Sequence, residues 1–550
     1  MKKKIKPSTN TNLYSFLVYL NDYKVLLFFA VLIFILYMNS LDNSFVSDDM
    51  SYLSNPNYMR VPLSDVLAFP HIITNHLVYQ VRVLIAGRDP TLLRLFNVLF
   101  HTLFIFGFYK LVHFFFKDKR LAFISALILA VHPVLSEVVN WISAYPYSMS
   151  SAFFVWSFYY YLIFKETKDI KKYYISLALF LGSLTSFEKY VPLFGFFVAY
   201  ELFLGDIKKN YKYLIPHLVF GSVLLIKIFG LLDDRVSTIK SLSGSVKGMP
   251  LKIVIPFALA NYIYIFFYPE KLTFYRTNFD FTYGASLFIF IPLLIFAGYL
   301  FLKNRKLFIF FVLFLMSLSA FLTPFGIAWL VAERYVYLGS TFLALSFVYY
   351  LLKLQDSFPK LHIPVFILFV LIILALSIRT HIRNNDWQDQ DTLWFATVKV
   401  SPGSPKVHNN LGDYYVRHKN LKKAIEEFSI AIKLNPRFAE AHYNLGLTLY
   451  RLNKLDEAKP YFEKTIKLKP NLSVAYWRLG QIAIKQGNYE EAEKMLLTAI
   501  RYNPNTINMW TDLRTLYKLM GNKEKFEEAN KRVIELTPVV NRIIPNAPKK

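Results

Sequence analysis

Residues 25–41 read VLLFFAVLIFILYMNSL, and residues 45–50, shortly after, read FVSDDM. The first stretch is long enough to form a membrane helix. Two adjacent carboxylates, Asp48 and Asp49, therefore stand where the chain leaves the bilayer. Charge at the edge of a low-dielectric region is costly unless it has a partner or a function. The pair is either a solvated helix cap or the centre of a chemical site.

The composition is that of a membrane protein with many spans. Of 550 residues, 55% are hydrophobic and 18% aromatic, which is too apolar for a soluble protein of this length. The net charge of +26 fits lysine- and arginine-rich cytoplasmic loops, and no nucleic-acid motif is present. With no cysteine, disulfides, thiolate chemistry and cysteine-bound zinc are excluded.

Apolar segments recur up to about residue 378 and predict roughly eleven spans. The basic loops predict the orientation, because lysine and arginine favour the cytoplasmic side. This orientation requires that 251–268 does not cross the membrane, so we interpret that segment as a re-entrant or interfacial helix. The orientation places the acidic pair on the non-cytoplasmic side with the C-terminal region. The predicted spans are 24–41, 92–116, 121–136, 147–164, 173–187, 190–204, 211–231, 285–302, 307–324, 330–352 and 363–380.

Beyond residue 380 the pattern changes to charged, amphipathic helices with a period of 34 residues. Prolines stand at 402, 436, 470, 504 and 538, and the leucines at 411, 445, 479 and 513 keep the same interval. Small residues at the helix crossings, such as Gly412 and Ala424, let two helices approach closely. This is the tetratricopeptide-repeat pattern, and it predicts four repeats that stack into a solenoid with a concave face.

The predicted fold class is all-α, with a polytopic membrane domain followed by a tetratricopeptide-repeat solenoid. The predicted order is a basic cytoplasmic N-terminus (1–23), a membrane domain (24–380) whose first non-cytoplasmic loop is about 42–91, a connecting segment (381–404), four repeats (405–538) and a tail (539–550).

Five stretches carry a resemblance to a known family. They are FVSDD (45–49), LFNVLFH (95–101), AVHPVLSEVV (130–139), AERYVYL (332–338) and RNNDW (383–387). In this order, and followed by the repeats, they resemble the transmembrane and tetratricopeptide-repeat O-mannosyltransferase family, within the type C polytopic glycosyltransferases. The resemblance implies a polytopic membrane helical domain of the type C glycosyltransferase kind. The chain departs from the family at SFEK (186–189), where Ser-Lys-Glu is usual, and at YLGS (337–340), where Tyr-Pro-Ser is usual.

The resemblance implies transfer of a sugar from a polyprenyl-phosphate donor, and an acidic catalytic role at Asp48 and Asp49. Repulsion between adjacent carboxylates raises the pKa of one of them, which suits a general base for an acceptor hydroxyl. Alternatively, the two together hold a divalent cation through oxygen ligands. No other cofactor is expected. The sequence leaves open which aspartate acts.

Arg334, with Lys189, is the candidate ligand for the donor phosphate, because a guanidinium donates two parallel hydrogen bonds to phosphate oxygens. The plainer interpretation of Arg334 is an ion pair with Glu333 or an interfacial anchor. The supporting candidates each have a plainer reading too, as a helix cap or a surface ion pair. They are His132, Glu137, Glu188 and Glu333.

The expected partners are the lipid-linked donor, the bilayer, and a protein or glycan acceptor held by the repeats. His408, His442 and Tyr476, on the first helices, are the candidate acceptor-binding residues. The expected location is a bacterial inner membrane, or the endoplasmic reticulum membrane in a eukaryote, with the repeats on the non-cytoplasmic side. Alternatives are transfer to a surface or lipid-linked glycan, and a membrane-anchored scaffold without activity.

Overall fold

The computed structural model describes residues 14, 17, 19–49, 72–230, 251–277, 282–322 and 330–537. Most of the predicted N-terminus, residues 50–71 of the predicted first loop, and the predicted tail lie outside this part of the chain. The regular elements of the described residues are α-helices and 3₁₀ helices, and these residues contain no strand, so the all-α prediction is confirmed. The chain divides into two compact units, residues 1–401 and 402–550.

Fifteen α-helices build the described part of the first unit. They are Asp22–Tyr37, Ile73–Ala86, Pro90–Phe116, Lys119–Ala130, Ser136–Asn140, Tyr145–Thr167, Ile170–Ser186, Phe196–Phe203, Ile207–Gly230, Leu251–Phe267, Tyr283–Lys303, Arg305–Ser319, Ser340–Ser357, His362–Asn385 and Gln390–Val400. Short 3₁₀ helices, among them Ser47–Asp49, Glu188–Gly195 and Glu333–Val336, lie between them.

Five described helices are long and apolar enough to cross a membrane: Asp22–Ser40, Pro90–Phe116, Ile207–Ile228, Tyr283–Lys303 and Pro359–Asn385. Two consecutive segments, Lys119–Ala130 and Pro133–Asn140, meet at a bend of 56° and add a sixth span if they count as one. The predicted total of roughly eleven exceeds what length and composition support in the described residues. Several predicted spans are broken; 190–204, for example, is divided between a 3₁₀ helix and Phe196–Phe203.

Serine pairs join the neighbouring helices Tyr145–Thr167 and Ile170–Ser186. Ser150 and Ser183 each donate a hydrogen bond to the other's backbone carbonyl, at 2.8 and 2.9 Å. Ser157 and Ser176 repeat the arrangement, with both distances 2.7 Å. The pairs are seven residues apart on each helix, which places them on one face. Small hydroxyl side chains let the two backbones approach closely and satisfy each other's polar groups in an apolar environment.

The second unit is four helix pairs in the register that the 34-residue period predicts. The first helices are Pro405–Arg417, Ala439–Arg451, Ser473–Lys485 and Ile507–Leu519; the second helices are Leu421–Leu434, Leu455–Leu468, Tyr489–Tyr502 and Lys523–Leu536. Buried alanines and phenylalanines of the second helices pack against the first helices. The helix pairing therefore follows from the small and large positions of the repeat.

The helix-crossing glycines give a stability prediction. A Cβ on Gly412 would stand 2.5 Å from Cε1 of Phe428, whereas on Gly446 it would stand 3.1 Å from Phe462. We expect Gly412→Ala to destabilise the repeats by about 1–3 kcal/mol through overpacking. Gly446→Ala should be nearly neutral, because alanine's better helix propensity, worth roughly 1 kcal/mol, offsets a milder contact.

Thermal unfolding of the purified chain, followed by circular dichroism, measures both effects. Gly446→Ala is the matched control, since it adds the same methyl group at the same repeat position. Equal shifts in the two variants would contradict the packing argument.

Candidate functional site

Arg94 holds the segment that carries the acidic pair. This buried arginine lies near the start of the helix Pro90–Phe116. Its guanidinium donates to the carbonyl oxygens of Leu41 at 3.0 Å and Ser44 at 2.7 Å, and also to that of Asn43. Its Nε donates to the carbonyl of Asn140 at 2.9 Å. One side chain thus satisfies the backbone of a segment that has left its helix.

The motif RNNDW holds the same segment from the other side. Asn384 donates to the carbonyl of Leu36 and to the side chain of Asn39, both at 2.9 Å. The side chain of Asn140 donates to Asn384 in turn, also at 2.9 Å. The backbone N–H of Ser44 donates to the carbonyl of Gln388 at 2.9 Å. This stretch therefore positions the segment that precedes Asp48.

The two aspartates have different surroundings, although they are adjacent. Asp48 is exposed and Asp49 is fully buried. One carboxylate oxygen of Asp49 accepts hydrogen bonds from the backbone N–H of Ser143, at 2.8 Å, and from its hydroxyl. The other accepts from the backbone N–H of Val46 at 3.4 Å. Burial raises the pKa of Asp49 to about 6, against the hydrogen bonds from Ser143 and the charge of Arg94.

Glu137 is the ion-pair partner of Arg334, at the bent segment Pro133–Asn140. Both side chains are buried. The carboxylate accepts a hydrogen bond from the Arg334 guanidinium and another from the Arg334 backbone N–H, at 3.0 Å. The sequence interpretation had suggested Glu333 as the partner of Arg334, and the structure places Glu333 elsewhere. The reason is that Arg334 pairs with Glu137, which lies 197 positions earlier in the sequence.

Glu333 is paired with Arg383 of the RNNDW motif. The two are buried, with N–O distances of 3.3 and 3.4 Å. Arg383 also donates to Asp386 at 2.8 Å, and Glu333 accepts from the backbone N–H of Thr273. Neighbouring residues of the AERYVYL motif are therefore paired with two different helices. Each buried charge is compensated by an opposite charge, which is the condition for keeping it out of water.

Lys189 and Arg334 lie near the same ring, that of Tyr335. The Arg334 guanidinium carbon is 5.0 Å from the ring centroid and the Lys189 ammonium nitrogen is 5.8 Å from it. Phe321 stacks on Tyr335 at 3.9 Å and is itself 5.5 Å from the Lys189 nitrogen. Cations are attracted to the faces of aromatic rings at these distances. The structure thus brings together the two cations predicted to bind phosphate.

Tyr275 connects the acidic pair with this cationic region. Burial raises the pKa of Tyr275 to about 12, and a hydrogen bond with Ser47 opposes the shift. The charges of Asp48, Arg334 and Glu137 act on the same phenol. Tyr275 stacks on Trp394, with ring centroids 5.5 Å apart. An aromatic residue that the sequence did not single out is therefore close enough to the predicted base and to the predicted phosphate ligand for both charges to act on it.

The other candidates have structural contacts. His132 caps the turn Pro133–Leu135 by accepting from the backbone N–H of Val134 at 3.3 Å, and its other ring nitrogen lies 3.0 Å from the carbonyl oxygen of Phe266. This matches the helix-cap reading. Glu188 is half-buried at the start of the helix Glu188–Gly195.

His408 and His442 bind the turn of their own repeat. The Nε2 atoms of His408 and His442 lie 2.8 and 3.1 Å from the carbonyl oxygens of Pro402 and Pro436. Both side chains are buried. Tyr476, at the same repeat position, stacks on Tyr502 with ring centroids 5.7 Å apart. Acceptor binding by these three residues stays a prediction, and these contacts all lie within the repeats.

No group of three or more histidine, aspartate or glutamate side chains suited to a metal occurs in the described ranges. Both carboxylate oxygens of Asp49 already accept hydrogen bonds, one from Ser143 and one from Val46. The divalent cation therefore stays a prediction, and no step below depends on it.

Sequence reasoning missed Arg94, Arg383 and Tyr275. For Arg94 a signal was available, since an arginine followed by an apolar helical run either reaches the membrane surface or pairs with polar groups inside the protein. Arg383 lies in the RNNDW motif, but the sequence predicted no role for it. Nothing in the sequence distinguishes Tyr275 among the 38 tyrosines of the chain.

The pKa of Asp49 predicts how stability depends on pH. The pKa of Asp49 in the folded state, about 6, is above the ordinary aspartate pKa of 3.8, so the folded state binds the proton more tightly. The stabilisation from protonation is complete below the unfolded pKa and is lost as pH rises through about 6. We expect Asp49→Asn, which removes the charge, to gain stability relative to the parent between pH 5 and pH 7. The full shift corresponds to on the order of 3 kcal/mol.

Melting temperatures of both proteins in detergent at the two pH values measure this difference. Asp42→Asn, at an exposed aspartate of the same segment, is the control and should show no such pH-dependent gain. A constant difference between parent and Asp49→Asn at the two pH values would contradict the assignment.

Comparison with known proteins matches both units. Residues 76–230 match the family model described as dolichyl-phosphate-mannose-protein mannosyltransferase. Residues 412–453 and 449–517 match tetratricopeptide-repeat models. Among solved structures, MamA from Desulfovibrio magneticus RS-1 is 19% identical, with 26% of this chain and 81% of that chain covered and a TM-score of 0.25.

Several curated relatives carry the name protein O-mannosyl-transferase. TMTC3 of Mus musculus is 24% identical over 467 residues, which is 71% of this chain and 49% of that protein. Tmtc2 of Drosophila melanogaster is 31% identical over 124 residues, 20% of this chain and 13% of that protein. The chain spans about half the length of the TMTC3 relatives that it matches. These matches confirm the resemblance stated from the sequence: in its membrane unit and in its repeats, the chain is similar to the transmembrane and tetratricopeptide-repeat O-mannosyltransferases.

Proposed function

We propose that this chain is a membrane glycosyltransferase that moves a sugar, with mannose as the first candidate, from a polyprenyl-phosphate donor to a hydroxyl group of a protein. The observation that carries the proposal is that the charges of Asp48, Arg334 and Glu137 all act on the Tyr275 phenol. The ring of the adjacent Phe274 lies 5.5 Å from the Arg334 guanidinium carbon. A base near the acceptor and cations near the leaving phosphate are what this transfer requires. The relatives named protein O-mannosyl-transferase support the same reaction.

The proposed reaction is a single displacement with inversion at the anomeric carbon. The acceptor oxygen forms a bond to that carbon while the bond from the carbon to the phosphate oxygen breaks. The electron pair of the broken bond leaves with the polyprenyl phosphate. The acceptor proton passes to a carboxylate, and positioned general bases of this kind contribute about 10²–10⁴-fold.

Asp48 is the proposed base, because it is exposed and an acceptor can reach it. Asp49 is the proposed positioning residue. Its carboxylate is buried and its hydrogen bonds to Ser143 and Val46 fix the turn Ser47–Asp49. Ser47 has φ 53°, in the left-handed region that is unfavourable for residues other than glycine. The geometry of the turn therefore depends on the contacts around it.

Arg334 and Lys189 are the proposed phosphate ligands. Glu137 holds the Arg334 guanidinium in place and balances part of its charge. The nitrogen of the other cation, Lys189, lies 5.5–5.8 Å from the centroids of three aromatic rings, those of Phe187, Phe321 and Tyr335. In this proposal, Arg334 orients the phosphate and Lys189 adds the charge that stabilises it as it leaves.

The repeats belong on the non-cytoplasmic side of the membrane in this proposal, together with the acidic pair. The basic loops support it through the preference of lysine and arginine for the cytoplasm. Reporter fusions after Lys306 and after Trp387 should report opposite sides, the cytoplasm for Lys306 and the other compartment for Trp387. The same side for both fusions would contradict the proposed topology.

Asp48→Asn tests the proposed base. It keeps the shape of the side chain and removes the charge, so turnover should fall by about 10²–10⁴-fold while donor affinity stays near that of the parent. The assay follows transfer from a panel of polyprenyl-phosphate sugars to protein and to glycan acceptors. Asp42→Asn removes an exposed carboxylate from the same segment and serves as the control. Full turnover in Asp48→Asn, with the parent active, would refute the assignment; a parent inactive with every donor would favour the scaffold alternative.

A further inference from the structure

A patch of aromatic and cationic side chains lies on the first helices of the second, third and fourth repeats. We call it the Trp477 face, and it consists of Tyr450, Trp477, Arg478, Gln481, Lys485 and Asp512. The guanidinium carbon of Arg478 is 4.4 Å from the ring centroid of Trp477 and 5.6 Å from that of Tyr450. The Lys485 nitrogen is 4.5 Å from the Tyr450 centroid. Two cations therefore flank one tyrosine ring.

These two cations have no carboxylate partner among the described residues, unlike several other basic residues of the unit. Lys459, Lys469 and Lys525 are each paired with a glutamate of the repeats. Arg478 donates to the neutral side chain of Gln481 at 2.7 Å, and its buried Nε makes no hydrogen bond in the structure. A buried guanidinium nitrogen without an acceptor carries a desolvation cost that an arriving acceptor removes.

Asp512 is the acidic residue of the Trp477 face, and the groups that donate hydrogen bonds to its carboxylate are neutral. The Nε1–H of Trp477 and the side-chain amide of Gln481 both donate to one of its carboxylate oxygens, each at 2.7 Å. Gln481 thus lies between Arg478 and Asp512, accepting from one and donating to the other. The arrangement keeps the guanidinium out of an internal ion pair and holds it stacked on Trp477.

Amide side chains continue this surface towards the first repeat. Asn444 donates to the side-chain oxygen of Asn409 at 3.0 Å, and both residues are half-buried. The bond uses one donor and one acceptor, and it leaves an amide N–H₂ on Asn409 and a carbonyl oxygen on Asn444. This combination can pair with the N–H and C=O of an extended peptide.

We propose that the Trp477 face binds an extended acidic peptide segment. The two cations pair with its carboxylates, the rings of Tyr450 and Trp477 bind its apolar groups, and the asparagines pair with its backbone. Arginine stacked on an aromatic ring loses little further freedom when a carboxylate binds, which favours it as an anion ligand. The binding site does not depend on transfer, but identifying the bound segment as an acceptor rests on the function proposed above.

The test is binding of a fluorescent peptide to the purified full-length chain without donor. The probe is a peptide of about twelve residues with alternating glutamate and serine, roughly 40 Å long when extended. The anisotropy should rise with protein concentration and the affinity should fall with salt. A second peptide with glutamine in place of glutamate should bind at least about tenfold more weakly.

Two double variants distinguish binding at the Trp477 face from non-specific attraction by positive charge elsewhere on the repeats. Arg478→Gln/Lys485→Gln should weaken binding by about tenfold or more, and the matched Lys494→Gln/Arg501→Gln, which removes two exposed cations from the helix Tyr489–Tyr502, should not. Because Arg478 is partly buried, Lys485→Gln alone is the variant least able to disturb folding, and we expect a few-fold loss from it.

The proposal is overturned if neither peptide binds, if both bind equally, or if the two double variants lose binding to the same extent. Since no donor is present, failure of peptide binding leaves the glycosyltransferase proposal standing, and absence of transfer leaves the binding site standing.

Discussion

The guanidinium of Arg94 is the contact on which the arrangement of the first unit depends. It is buried at the start of a membrane helix, and it reaches four backbone carbonyls, three from the segment Leu41–Ser44 and one from Asn140. A chain that leaves a helix near the bilayer must find partners for its carbonyls, because water is scarce there. Arg94 supplies them from a single side chain. The segment with the acidic pair and the bent segment with Glu137 are thereby fixed to the same helix.

Buried charges next to this contact come in pairs from distant parts of the chain. Glu137 meets Arg334, and Glu333 meets Arg383. A buried ion pair is weak evidence for stability, since desolvation cancels most of the attraction, but loss of one partner leaves a charge that the interior cannot hold. These pairs therefore determine which segments can be neighbours. They bring the motifs AVHPVLSEVV, AERYVYL and RNNDW into one region.

The repeats could be predicted almost completely from the sequence, and the candidate site only in part. The interval between residues such as Leu411 and Leu445 is enough to place every helix pair, because a repeat packs against its own neighbours along the chain. The partner of Arg334 lies 197 positions away, and no local pattern encodes that distance. The prediction for His408 did not include its buried contact with Pro402, although the same position, six residues after a proline, recurs at His442 and at Trp510, which donates to Pro504 at 2.7 Å. That recurrence was the available sign of a structural role. The predicted number of spans exceeds the five or six sufficiently long and apolar helices of the described residues, because apolarity along the sequence does not reveal breaks such as the one at Glu188–Gly195.

The reciprocal serine bonds between Tyr145–Thr167 and Ile170–Ser186 restrict how this molecule can change shape. Sliding one helix along the other by a single turn would separate both hydroxyl–carbonyl pairs, at Ser150–Ser183 and at Ser157–Ser176, at the same time. In an apolar surrounding those groups would have no replacement partners. The two helices therefore move together as one rigid unit. Any change of shape in this part of the first unit must turn the hairpin as a whole, and the adjustment falls on the connections at its ends.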